Sequence, residues 1–147
     1  MILVVNTNSN TCRLYHYHKH PAALTLIKEL CDPSTRLKSS ELAADKPGHY
    51  QSGPSARGAF SPHLEAKENE IHHFSQAIAK ELNQTRNQHG FDKLIVIAPP
   101  HMLGLLSEHL DKQVKNLITH HFQKDLLHLS DRELLDYLQT HAKYSEQ

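Results

Sequence analysis

Phe91-Asp92-Lys93-Leu94-Ile95-Val96-Ile97-Ala98-Pro99-Pro100 is the stretch that decides how this chain folds. Leu94 to Ala98 is an unbroken apolar run halted by two prolines, which reads as a strand buried on both faces. Upstream, Ile71, Phe74, Ile78 and Leu82 recur three and four residues apart, with Ala77 and Ala79 beside them. That period predicts a long amphipathic helix from Glu65 to Gln88, with Gly90 after its end. Downstream, Leu103, Leu106, Leu110, Val114 and Leu117 form a second helical stripe. Ile118 to Phe122 offers another strand. Ser130 with Glu133 makes a capping box that opens a last helix through Leu134, Leu135 and Leu138. Strands alternating with helices imply parallel pairing through crossovers.

The first thirty residues have a different rhythm. Ile2 to Val5 is a short apolar strand, and Asn6 to Asn10 is turn chemistry. From Thr11 to His18 the residues alternate, with Cys12, Leu14 and His16 on one face and Arg13, Tyr15 and Tyr17 on the other. His20-Pro21 interrupts, and Leu24 to Leu30 predicts a third strand of an antiparallel meander. Asp32 to Pro62 then carries four prolines and three glycines with no sustained period. A short helical turn near Ser39 to Ala44 fits within it. The expected fold is therefore α/β: a mixed sheet of about five strands in the order β-β-β-α-β-α-β-α, with helices packed on it. One domain spans 1–147, and 32–64 forms a long functional or mobile loop before the first long helix.

Composition narrows the function. Lys plus Arg and Asp plus Glu number 16 each, so bulk charge does not hold this chain to DNA or to anionic lipid. Its 147 residues contain no apolar stretch near the ~20 needed for a membrane helix. Asn6 to Thr11 cuts short the apolar start, so no signal peptide is read and a cytoplasmic setting is expected. The two cysteines, Cys12 and Cys31, form neither a disulfide framework nor a CxxC motif. Histidine is abundant: protonating all 14 would carry the charge from 0 to +14 with the carboxylates ionised.

No Walker A, GxGxxG, GxSxG or HExxH motif is present. His16, His18 and His20 recur every second residue, and His72-His73 and His120-His121 are adjacent pairs. Imidazoles so spaced can gather on a strand face, yet nothing in the sequence makes a carboxylate or thiolate converge on them, so no metal and no other cofactor is expected. No strained turn presents Ser or Cys as a nucleophile. The long loop intersperses Arg36, Lys38, Lys46, His49, Arg57, His63 and Lys67 with Gly, Ser and Tyr50. Such a segment can follow a phosphate chain and stack an aromatic ring on a base, although Asp32, Glu41, Asp45 and Glu65 dilute its charge. Lys124-Asp125 reads as a salt bridge or cap, with partner contact as the alternative.

Several blocks, in order, resemble the bacterial host-attachment protein family: DPSTRLKSSELAADKPGHYQS (32–52), AKENEIHHFSQAIAKEL (66–82), FDKLIVIAPPHMLGLLSEHL (91–110) and FQKDLLHLSDRELLDYL (122–138). The sharpest matches are Asp45-Lys46-Pro47-Gly48, Ala98-Pro99-Pro100 with Leu103-Gly104, and Lys124-Asp125-Leu126. The family label implies a part in attachment to host cells. That family is in turn similar to the central domain of archaeo-eukaryotic peptide-chain release factors, whose Gly-Gly-Gln loop before the long helix triggers peptidyl-tRNA hydrolysis. The corresponding stretch here is Ser52-Gly53-Pro54-Ser55-Ala56-Arg57, with no Gln at the key place and no N–H on Pro54.

The resemblance thus implies docking at a ribosome or tRNA rather than catalysis. The expected contact residues are Lys46, His49, Gly53, Arg57, Lys67 and Lys124, with no catalytic residue. The alternative is an intracellular protein-interaction role supporting attachment, with a protein partner in place of RNA. A further alternative is a hydrolase acting on peptidyl-tRNA through Gln51 or Arg57.

Overall fold

A computed structural model describes residues 1–32, 53–88 and 90–142, with 53–64 as helical backbone alone. Among these residues a single sheet of five strands runs β3-β2-β1-β4-β5, comprising β1 (Ile2–Thr7), β2 (Thr11–Lys19), β3 (Ala22–Cys31), β4 (Lys93–Ile97) and β5 (Ile118–Phe122). β1 pairs antiparallel with β2 and parallel with β4; β2 pairs antiparallel with β3, and β4 parallel with β5. The mixed α/β sheet expected from the sequence is what the chain forms.

Among the described residues four helices flank it: α1 (Gly53–Asn87), α2 (Pro100–His109), α3 (Lys112–Lys115) and α4 (Asp131–His141). Alternation along β1 and β4 divides their side chains between two cores. Leu3, Val5, Leu94 and Val96 meet Phe74, Ile78 and Leu82 of α1 and Met102 and Leu106 of α2. Val4, Ile95 and Ile97 face the other way, onto Leu134 and Leu138 of α4. The described residues form a three-layer sandwich, helices on either side of the sheet.

Local chemistry explains the element boundaries. Ser130 accepts from the Glu133 backbone at 3.1 Å while the Glu133 carboxylate accepts from the Ser130 backbone at 2.8 Å, closing the expected capping box on α4. Such a cap is worth about 0.5–2 kcal/mol. Those bonds from Ser130, the backbone one first, hold the Glu133 carboxyl below its ordinary range. The stripe from Leu103 to Leu117 is broken into α2 and α3, because the Asp111 N–H turns away to the Asn83 side chain of α1 at 3.1 Å. The hairpin between β2 and β3 turns at a cis His20-Pro21 bond.

One boundary differs more. α1 begins at Gly53, twelve residues before the expected start at Glu65, so the part of the expected loop from 53 onward is helical. Pro54 suits a first turn, where its missing N–H has no partner to lose. Positions 33–52, including the helical turn expected near Ser39 to Ala44, lie outside the described residues.

β3 is an outer strand. Its pairing with β2 slips between Leu14↔Lys28 and Tyr15↔Leu26, which leaves Ile27 as a bulge. Leu26 and Ile27 are 47% and 46% exposed. Both charged side chains of this strand are tied down, Lys28 to Glu81 of α1 at 2.9 Å and Glu29 to Arg13 of β2 at 2.8 Å.

Candidate functional site

β1, β4 and β5 are mutually parallel, so Thr7, Ile97 and Phe122 end on one edge of the sheet. In α/β sheets this carboxyl edge is where ligands gather. α1 returns from it to the start of β4. The 35 residues of α1 span about 52 Å at helical rise, against about 17 Å for the five of β4, so α1 outruns the sheet. Its early turns project past the carboxyl edge.

At this edge a carboxylate of α1 lies between two imidazoles. Glu68 Oε2 of α1 lies 2.8 Å from His101 Nε2 in the first turn of α2 and 3.3 Å from His72 Nε2 one turn along α1. A shallow groove beside it is lined by Glu65, Lys67, Glu68 and Ile71. Both imidazoles address the same oxygen, which therefore sits between them. Among the described residues, no three His, Cys, Asp or Glu side chains are placed to share a metal ion.

On the other face of the same edge, Asn6 is buried; its Nδ2 donates to the Leu126 carbonyl at 3.4 Å, and among the described residues its Oδ1 has no hydrogen-bond partner. Asn8 stands beyond it. Its Oδ1 accepts the N–H groups of Asn10 and Thr11 at 2.8 and 3.0 Å, and its Nδ2 donates to Asp125 Oδ2 at 3.4 Å. Asp125 Oδ1 in turn accepts the Leu127 N–H at 3.3 Å. Asp125 is thus a local cap bound to the first hairpin, and Lys124 beside it points to solvent without a hydrogen bond or ion pair among the described residues.

The residues expected to contact a partner fall into three groups. Lys46 and His49 lie outside the described residues. Gly53 and Arg57 stand on the helical backbone that opens α1. Lys67 is exposed on α1 at the groove, and Lys124 is exposed at the end of β5. Lys67 and Lys124 share the carboxyl edge but sit on different elements, and no bond joins them. Sequence reasoning missed the Glu68 contact to His72 and His101, and the pair Asn6 and Asp125. The histidines were visible; which carboxylate would reach them across 33 positions was not.

Cys12 is not an activated nucleophile. Burial, only partly opposed by a hydrogen bond with Thr7, pushes the Cys12 thiol up to about 12, whereas Cys31 is exposed. Since the thiolate is the reactive form, alkylation of the native protein at pH 8 should label Cys31 alone, and denaturation should release a second thiol. Mass spectrometry showing two labels on the native chain would contradict that burial.

Residues 1–138 match the family model described as "Protein required for attachment to host cells". The chain belongs to this host-attachment family. It is also similar to the uncharacterized protein RP470 of Rickettsia prowazekii (strain Madrid E), 32% identical over 80 residues that make up 53% of each chain. The matched segment spans about half the length of that curated relative. Among the described residues no helix of this host-attachment protein is long and apolar enough to cross a membrane.

Proposed function

We propose that this host-attachment family protein is a non-catalytic, translation-associated factor that docks on a ribosome or tRNA through the projecting start of α1. The observation that carries the reading is the overhang: Gly53 and Arg57 open a helix that extends beyond the carboxyl edge, and Lys67 follows on the same rod. Lys46 and His49 precede that helix directly in the chain. A rod carrying spaced cations, free of the sheet, suits a phosphate backbone, where each Lys or Arg displaces counterions. Pro54, with no N–H, stands where a release-factor loop needs a main-chain donor, which favours docking over hydrolysis. The release-factor likeness is itself part of this proposal.

Purified protein should co-sediment with ribosomes of its own host at low salt and dissociate as salt rises. An Arg57→Ala, Lys46→Ala variant should flatten the salt dependence by about two units of slope, near one for each phosphate no longer neutralised. Failure to co-sediment at either salt would overturn the reading. A second reading, protein-protein contact in support of attachment, rests on the family description and would then take precedence.

A further inference from the structure

We propose that His16 and His18 form an open, two-imidazole site for a divalent late first-row transition-metal ion, Cu2+, Ni2+ or Zn2+. Their ring centroids stand 3.9 Å apart with planes tilted by 40°. Alternate positions on a strand are about 6.7 Å apart along the backbone, so these two rings lean toward each other. Two imidazoles on one metal, each with N–metal bonds near 2.0–2.1 Å, hold their centroids roughly 4.5–5 Å apart. A parting of about one ångström is therefore needed, and half-exposed side chains reach it by side-chain torsion.

The scaffold beneath the pair is rigid. β2 is paired on both sides at His16, opposite Leu3 of β1 and Thr25 of β3, and with β3 alone at His18, opposite Ala23. Thr25 and Ala23 are small, which leaves the β3 flank of the rings open. No carboxylate hydrogen-bonds either ring among the described residues, so neither nitrogen set is already committed. A metal ligand must be neutral imidazole. Burial first, then His18 and the amino terminus, holds His16 below the ordinary histidine value. His20 of the same alternating series stands in the turn, outside the strand. With two protein ligands the remaining positions belong to solvent or to an incoming donor, and imidazole nitrogen selects Cu2+, Ni2+ and Zn2+ over Mg2+ or Ca2+.

The test uses the full chain without a polyhistidine tag, at pH 7. Cu2+ is titrated and followed by electron paramagnetic resonance for nitrogen coupling, with Ni2+ and Zn2+ followed by calorimetry. The tightest site should hold one ion per chain and show two coordinated nitrogens. His16→Gln and His18→Ala should each weaken it at least about tenfold, the lower range for disturbing even outer partners of a metal ligand. A His120→Ala, His121→Ala variant should leave it unchanged. Circular dichroism confirms folding, and His18→Ala alone carries the test if His16→Gln does not fold. A tight site that survives both changes at His16 and His18, or that disappears with His120 and His121, would overturn the proposal.

Discussion

Ile78→Ala should lower the stability of the protein by about 2–5 kcal/mol, read as a drop in the denaturant midpoint at unchanged slope. Ile78 is fully buried between α1 and the sheet, against the β1 and β4 side chains that face that layer. Truncation removes apolar packing and leaves a cavity that α1, held on the sheet by Phe74, Ala79 and Leu82 around Ile78, cannot collapse to fill. Leu138→Ala, equally buried but under α4, should cost a similar amount. Set against the 5–15 kcal/mol typical of a domain, either loss is severe. The sheet separates the two positions, so the double variant should be additive to within about 0.5 kcal/mol. Coupling well above that would mean the two layers respond as one and would refute the division into separate cores.

Gly90→Ala should be the most damaging small substitution, at about 1–3 kcal/mol. A Cβ at Gly90 would meet Thr85 Cγ2 at 2.5 Å and the Thr85 carbonyl oxygen at 2.8 Å. The approach is close because the Gly90 N–H donates to that same carbonyl at 2.8 Å. Thr85 cannot swing its methyl aside freely, since its hydroxyl is bonded to the Glu81 carbonyl at 2.8 Å. None of the described glycines has a positive φ, so Gly90 is required by crowding rather than by a left-handed turn. Thr85→Ser, which deletes the methyl and keeps the hydroxyl, should restore part of the loss in the Gly90→Ala background. Full stability in Gly90→Ala alone would show that the close approach is relieved at no cost.

What was legible in the sequence follows from periodicity. Leu94 to Ala98 and the Ile71-Phe74-Ile78-Leu82 stripe fixed a buried strand and its covering helix, because burial imposes period on side chains. The capping box at Ser130 was legible because two hydrogen bonds set its spacing. The start of α1 was not legible: Gly53, Pro54, Gly58 and Pro62 are all turn-favouring, and Pro62 lacks the N–H that would reach the Gly58 carbonyl. The break between α2 and α3 escaped notice because its cause, Asn83, lies 28 positions away. The carboxyl-edge cluster was hidden for the same reason. Asn6, Glu68, His101 and Asp125 are ordinary singly, and only the parallel registers of β1, β4 and β5 bring them to one edge.

The outer strand β3 has a consequence for how this molecule fails. Among the described residues no strand pairs with its side away from β2, so that edge is a template for a further strand, and Leu26 and Ile27 make it sticky. The bulge at Ile27 disrupts the pairing geometry, and Lys28 is leashed to Glu81 of α1. Whatever lifts α1 from the sheet therefore also unleashes that lysine and slackens the strand beside it. Partial opening on this side leads toward intermolecular β-assembly, whereas opening under α4 leaves the leash intact. Leu24 of the same strand packs in the core under α4, so opening on either face bears on this edge, but only the lifting of α1 also frees Lys28.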